Sequence, residues 1–218
     1  MHFPSRFRLV ITVVVISYTA LLGIAYADPP VGFTETWSGT STQNWGGGSS
    51  VTNPGSGGGG AGGAGDGYLL VATPGVGHLG ARSNGAPYVG DWRSAGIEFV
   101  RFSINDVGTD EPLEIHFAIG NGSNFWQSNV AISPPENAWG EVTIDLTAAD
   151  NFTQILGTGT FDAALHNVDR IHFRHDLAPF AQTPDSIQGD FGIDNLLLGG
   201  PMTPTFSTSW GRIKAQYR

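Results

Sequence analysis

The chain is 218 residues long, with 19 acidic residues against 10 Lys and Arg, a formal net charge of −9 and no cysteine. All 19 acids lie between Asp28 and Asp194, where the only Lys or Arg residues are five arginines, so this body is strongly acidic. That balance argues against nucleic acid and anionic membrane surfaces as partners and fits calcium, neutral polymers or basic surfaces. The missing cysteines exclude disulfides as the stabilising device.

Arg6 and Arg8 precede a mostly apolar run from Leu9 to Ile24, and Ala25-Tyr26-Ala27 places small residues at both ends of a cleavage site. Residues 1–27 therefore read as a signal peptide. The rival is an uncleaved anchor, since the run approaches the length of a membrane span. No later segment is apolar enough to cross a bilayer. The mature chain is expected to be secreted or held at the cell surface, without a stable span.

From residue 28 onward, short apolar stretches alternate with a period of two, and helical periodicity is poor. A first strand starts at Gly32-Phe33-Thr34-Glu35. Residues 46–67 hold twelve glycines among 22 residues; between two strands, this reads as a long surface loop within the domain. YLLVAT (68–73), IEFVRFSI (97–104), LEIHFAI (113–119), WQSNVAI (126–132), EVTIDL (141–146), RIHFRH (170–175) and FGIDNLLL (191–198) follow as strands. LTAADNFTQIL (146–156) holds a helical turn. Pro201 and Pro204 mark an exit from the domain (28–200) into a linker and a tail, SWGRIKAQYR (209–218). In that tail Trp210, Ile213 and Tyr217 share a helical stripe among three basic residues. It reads as a disordered end or a segment that docks on its own acidic domain; the other reading is a surface-docking tag. Many short strands in an exported chain predict an all-β sandwich or jelly roll of two antiparallel sheets.

Two constellations carry chemistry. Strict alternation in FGIDNLLL puts Asp194 on the face of Leu196 and Leu198, where a bare carboxylate is costly unless a cation or hydrogen-bond donors meet it. Calcium takes six to eight oxygens; Glu35, near the mature N-terminus, and Asp66, in the Gly-rich loop, are the other candidate ligands. The alternative is that a neighbouring loop donates hydrogen bonds with no metal. The second constellation is a sugar site, which needs flat apolar faces and planar polar groups. Tyr88, Trp92 and Arg93 lie in a turn-rich stretch, and Trp126 and Trp139 follow loops. Asp91, Asn121, Asn124 and Gln127 are polar partners. On strands, His172 and Arg174 share a face, as do Glu114 and His116. If the two strands are neighbours, His116, His172 and Arg174 form one polar patch. The same alternation turns His172 and His175 apart, which argues against a shared metal. The chain has no nucleophile elbow, zinc-protease motif or cysteine nucleophile.

The succession GFTETWSGTSTQNWGGG, GGAGDGYLLV, APYVGDWRSAGIEFVRFSI, NAWGEVTIDL, RIHFRHDL and FGIDNLLLG resembles laminin domain IV-type (laminin B) modules. It is also similar to the wider galactose-binding-like jelly rolls, which include many bacterial carbohydrate-binding modules. The resemblance covers about residues 32–199. It implies a galactose-binding-like jelly roll, and a structural calcium held by the residues matching Glu35 and Asp194. The chain departs from that pattern with Phe-Thr-Glu where many relatives have Phe-Glu, and one inserted residue turns a side chain to the other face. The expected function is a non-catalytic module binding a polysaccharide or glycan, or serving in matrix adhesion. The alternative is a structural or protein-interaction module of the laminin IV kind without a glycan site. A small polysaccharide-active enzyme ranks third.

Overall fold

The computed structural model describes residues 28–108 and 112–201; the expected leader and the basic tail lie outside them. Eleven strands occur among the described residues: β1 (Thr34–Glu35), β2 (Ser50–Thr52), β3 (Leu69–His78), β4 (Gly80–Ser83), β5 (Phe99–Asn105), β6 (Ile115–Asn121), β7 (Asn124–Ser128), β8 (Gly140–Asp145), β9 (Phe152–Gly157), β10 (Arg170–His175) and β11 (Ser186–Gly199). Two short helices, α1 (Trp92–Ala95) and α2 (Phe161–Leu165), sit in connections. One sheet runs β2-β3-β11-β5-β8, with β1 also paired to β11; the other runs β4-β10-β6-β7-β9. Every strand pair is antiparallel. The architecture is the expected β-sandwich.

The core forms where the alternating apolar sets of the two sheets face each other. Ile115, Phe117, Ile119, Ile171 and Phe173 enter from the five-stranded sheet, and Val100, Phe102, Ile104, Phe191 and Ile193 from the other. Phe173 is the meeting point. Its ring lies 4.7 Å from Phe102, 5.5 Å from Phe117 and 5.7 Å, stacked, from Trp45. Each such ring contributes about 1.5–3 kcal/mol by leaving water.

Local chemistry explains the departures from the expected elements. The stretch at 146–156 holds only a 3-10 turn (Ala149–Asn151) before it becomes edge strand β9. The Gly-rich run includes edge strand β2. Strand β4 has the sequence GARS, too short and too polar to show a period. At α1, the Asp91 carboxylate accepts from the Ser94 N–H at 2.8 Å and Gly96 closes the turn at φ 77°. That cap turns Trp92 inward, where it is fully buried.

The phase of β11 is the main correction. Asp194 pairs with Ser103, but Leu197, not Leu196, pairs with Arg101. One extra residue is accommodated around Asn195, whose φ is 50°. Asp194 faces outward with Ser103, and past the bulge Leu197 does so with Arg101, while Leu196 and Leu198 join Ile193 in the core.

Phe173→Ala is expected to cost about 3–5 kcal/mol, because the cavity would open between both sheets. The check is a urea unfolding midpoint; a loss below about 1 kcal/mol would show that the sandwich centre repacks around the gap.

Candidate functional site

Seating Ile171 and Phe173 in the core puts Arg170, His172 and Arg174 on the outer face of the five-stranded sheet. Pairing extends this face. His172 lies between Arg82 of β4 and Ala118 of β6, and Arg174 lies between Gly80 and His116. The expected His116–His172–Arg174 patch therefore forms. Its two ends differ.

At one end the patch is sealed. The segment after β10 crosses it as a strap. The buried Arg174 guanidinium pairs with the Asp176 carboxylate at 2.7 Å and donates to the carbonyls of Ala181 (2.7 Å) and Gln182 (2.8 Å). The Leu177 N–H donates to the Asp185 carboxylate at 2.8 Å, and the Phe180 ring lies 4.8 Å from that of His116. His116 is fully buried, with Nδ1 on the Ser128 carbonyl at 2.7 Å. Burial lowers its pKa, against raising contributions from Ser128 and the nearby acids. Neither His116 nor Arg174 is presented to a ligand.

At the other end the patch opens into a groove beside β4. Two adjoining depressions, about 610 and 330 Å³, share Gly47 and Arg82. Asn44, Asn84, Asn167, Asp169 and Arg170 line the larger; His78, His172 and Pro184 line the smaller. The far wall is the backbone of Gly46–Gly48, fastened by the Gly46 N–H to the Arg82 carbonyl (3.0 Å) and the Arg82 N–H to the Gly46 carbonyl (2.7 Å). A Cβ on Gly47 would stand 2.7 Å from the Gly80 carbonyl, so only glycine fits there. Asn44, Asn84 and Arg82 are exposed.

Charge is distributed unevenly in this groove. Arg170 pairs with the Asp169 carboxylate at 3.2 Å and lies over the Phe125 ring, 4.4 Å from its centroid. The other Asp169 oxygen accepts from the Gly122 N–H at 3.0 Å. Arg82 forms no ion pair among the described residues. Burial, and then the positive charges of Arg174, Arg82 and Arg170, push the His172 imidazole down to about 3. It is neutral at physiological pH.

The predicted aromatics do not gather here. Tyr88 and Trp92 are core residues, joined by the Trp92 Nε1–H on the Tyr88 carbonyl at 3.0 Å. Arg93 is held by Asp162 at 2.8 Å. Trp126 lies opposite Ile119 on the inward face of β7, against Phe161, and donates to Asn124 Oδ1. Trp139 packs on Tyr68 over the other sheet and donates to the Gly59 carbonyl at 3.0 Å. Large apolar rings beside turns were drawn into the packing, where each finds a partner. Arg82 carries no sequence signal because β4 has no readable period, and Asn44, Asn84 and Asn167 lie in connections, where no period applies. Arg170 carried a signal: it shares the phase of His172 and Arg174.

Asp194 meets donors and another acid. Its Oδ2 accepts from the Ala61 N–H at 2.9 Å, its Oδ1 from the Asn195 N–H at 2.7 Å, and Asp66 shares a hydrogen bond with it. Glu35 pairs with Leu196 and so lies on the opposite face of β11, its carboxylate near the Trp37 N–H (3.4 Å). The expected Glu35–Asp66–Asp194 ligand set is thus not assembled. Among the described residues, no group of three or more His, Cys, Asp or Glu side chains is placed to hold a metal. Burial, opposed by the two N–H donors and reinforced by Asp66, pushes Asp194 up to about 6.

Two measurements check these electrostatics. The ring signals of His172 in an NMR titration should stay level between pH 5 and 8; a midpoint near 6.5 would contradict the half-buried, cation-flanked setting. The folded-state pKa of Asp194 lies above that of the unfolded chain, so its protonation favours the fold below about pH 4, and this contribution is lost as pH rises through about 6. Asp194→Asn keeps an acceptor without the charge. Its stability relative to the parent is expected to grow as pH rises from 4 to 7; a constant difference would rule the assignment out.

No protein-family profile and no curated protein matches the chain. Solved structures do. A stretch of an exo-β-agarase is similar at 12% identity with a TM-score of 0.56, covering 79% of this chain and 25% of that one. A family 11 carbohydrate-binding module from Clostridium thermocellum, solved with a β-1,3-1,4-mixed-linked tetrasaccharide, matches at 24% identity and a TM-score of 0.47, covering 78% and 97%. A xylan-binding domain of carbohydrate-binding module family 22 matches at 15% identity and 0.40, covering 81% and 100%. At this identity the agarase likeness speaks for the fold alone, and agrees with the two-sheet antiparallel β-sandwich described above.

Proposed function

We propose that this chain is an exported, non-catalytic carbohydrate-binding module that holds a polysaccharide in the groove beside β4 and β10. The observation that carries this reading is an open, preformed groove, lined by the exposed Asn44, Asn84 and Arg82 together with Gly46 and Gly47. Amide and guanidinium groups are planar and meet sugar hydroxyls in pairs; an amide both donates and accepts. The glycine wall lets a sugar ring approach the backbone. Of the residues lining the groove, Asp169 alone carries a carboxylate, and it is engaged by Arg170 and Gly122. Glycoside hydrolysis commonly needs two carboxyl groups, about 5–10 Å apart, so the lining favours binding over cleavage. Export rests on the leader read in residues 1–27.

The test is titration of the secreted chain against a broad polysaccharide panel by calorimetry and affinity electrophoresis. Saturable binding is expected, without release of reducing ends. Asn84→Ala should weaken it about three- to tenfold, the worth of one or two hydrogen bonds, with unchanged melting temperature. No saturable binding anywhere on the panel, or binding indifferent to Asn44→Ala and Asn84→Ala together, would overturn the proposal.

A further inference from the structure

The distribution of charge narrows the ligand class. Between residues 28 and 200 there are five arginines and 19 acids. Three of those arginines, Arg82, Arg170 and Arg174, lie on the outer face of the adjacent strands β4 and β10. Asp176 neutralises Arg174 beneath the strap, and Asp169 neutralises Arg170. Arg82 is left exposed at the junction of the two depressions, with no ion pair among the described residues. In a body this acidic, an exposed guanidinium without a carboxylate marks a local reversal of sign.

We propose that the groove selects acidic polysaccharides, chains bearing uronate carboxylates or ester sulfates, and that Arg82 is the residue that pairs with the anionic group. This rests on the glycan-binding reading above. A neutral sugar offers Arg82 only hydroxyl acceptors and leaves its charge uncompensated. A carboxylate or sulfate matches the planar fork of the guanidinium with two parallel hydrogen bonds. Arg82 is also fixed at its backbone by both hydrogen bonds to Gly46, so its side chain starts from a defined position. Burial is the main cause of the lowered His172 pKa, and Arg174, Arg82 and Arg170 add to it in the sense of a positive local field. The rest of the surface, rich in Asp and Glu, repels a polyanion, so the chain is steered to this face, within a screening length of about 10 Å at moderate salt.

The experiment compares polygalacturonate, alginate and a sulfated galactan with neutral mixed-linkage β-glucan, xylan and agarose, at low and high ionic strength. Acidic chains should bind at least about tenfold more tightly at low salt, and the preference should fade as salt rises. Arg82→Gln, which removes the charge but keeps a polar end, should erase most of that preference while leaving the melting temperature unchanged. Equal or tighter binding of the neutral chains, or a preference untouched by Arg82→Gln, would overturn this proposal and leave the glycan-binding reading standing. No binding of either class at either ionic strength would overturn both.

Discussion

Alternation along β10 is the constraint on which the candidate site depends. Ile171 and Phe173 must enter the core, and no register keeps them there without turning Arg170, His172 and Arg174 outward together. Pairing with β4 then sets Arg82 beside His172, and pairing with β6 sets His116 beside Arg174. A basic face in an acidic protein is thus the reverse side of an apolar one. The stack of Phe173 on Trp45 also ties the segment around residues 44–48 to the core, which brings the glycine wall up to β4.

The strap divides that face into a closed half and an open half. A buried ion pair is a weak source of stability, since desolvation offsets most of its attraction; breaking one nevertheless leaves an uncompensated charge, at about 3–5 kcal/mol. The Arg174–Asp176 pair therefore acts chiefly as a positional device. With two backbone carbonyls it holds the strap across His116 and leaves the side of Arg82 and Arg170 open. The closed half is polar and buried, and the open half is polar and reachable. Strand pairing treats both alike.

The Gly-rich run serves both sheets. At its start, Gly46 and Gly47 lie against β4, close enough to exclude any side chain at Gly47. Toward its end, the Ala61 N–H reaches Asp194 on the outer face of the other sheet, and a Cβ on Gly67 would fall 2.3 Å from the Trp37 carbonyl. A stretch with the composition of a flexible linker is fastened at two distant points. The glycines are needed for close approach at Gly47 and Gly67, where another residue would collide with backbone.

Much of the sandwich was legible in the residues alone. The long strands announce themselves by a period of two, and the same period foretold that His172 and Arg174 share a face. The acidic excess and the absence of a catalytic motif were also plain. The short strands β2 and β4 were not, because three or four polar residues at a sheet edge carry no period; with β4 went Arg82. Tyr88 and Trp92 were misplaced because a capped turn looks the same whether its aromatics point outward or inward. Asp194 was expected to share a face with Leu196 and Leu198, and does not, because one bulged residue shifts the phase of everything after it. Asn195 hinted at this only as a residue type that tolerates a left-handed backbone. By itself, then, the sequence determined which residues alternate and how much charge the body carries. Only the tertiary structure decided which polar residues are sealed under a strap and which line an open groove, because exposure depends on cover supplied by segments distant in the chain.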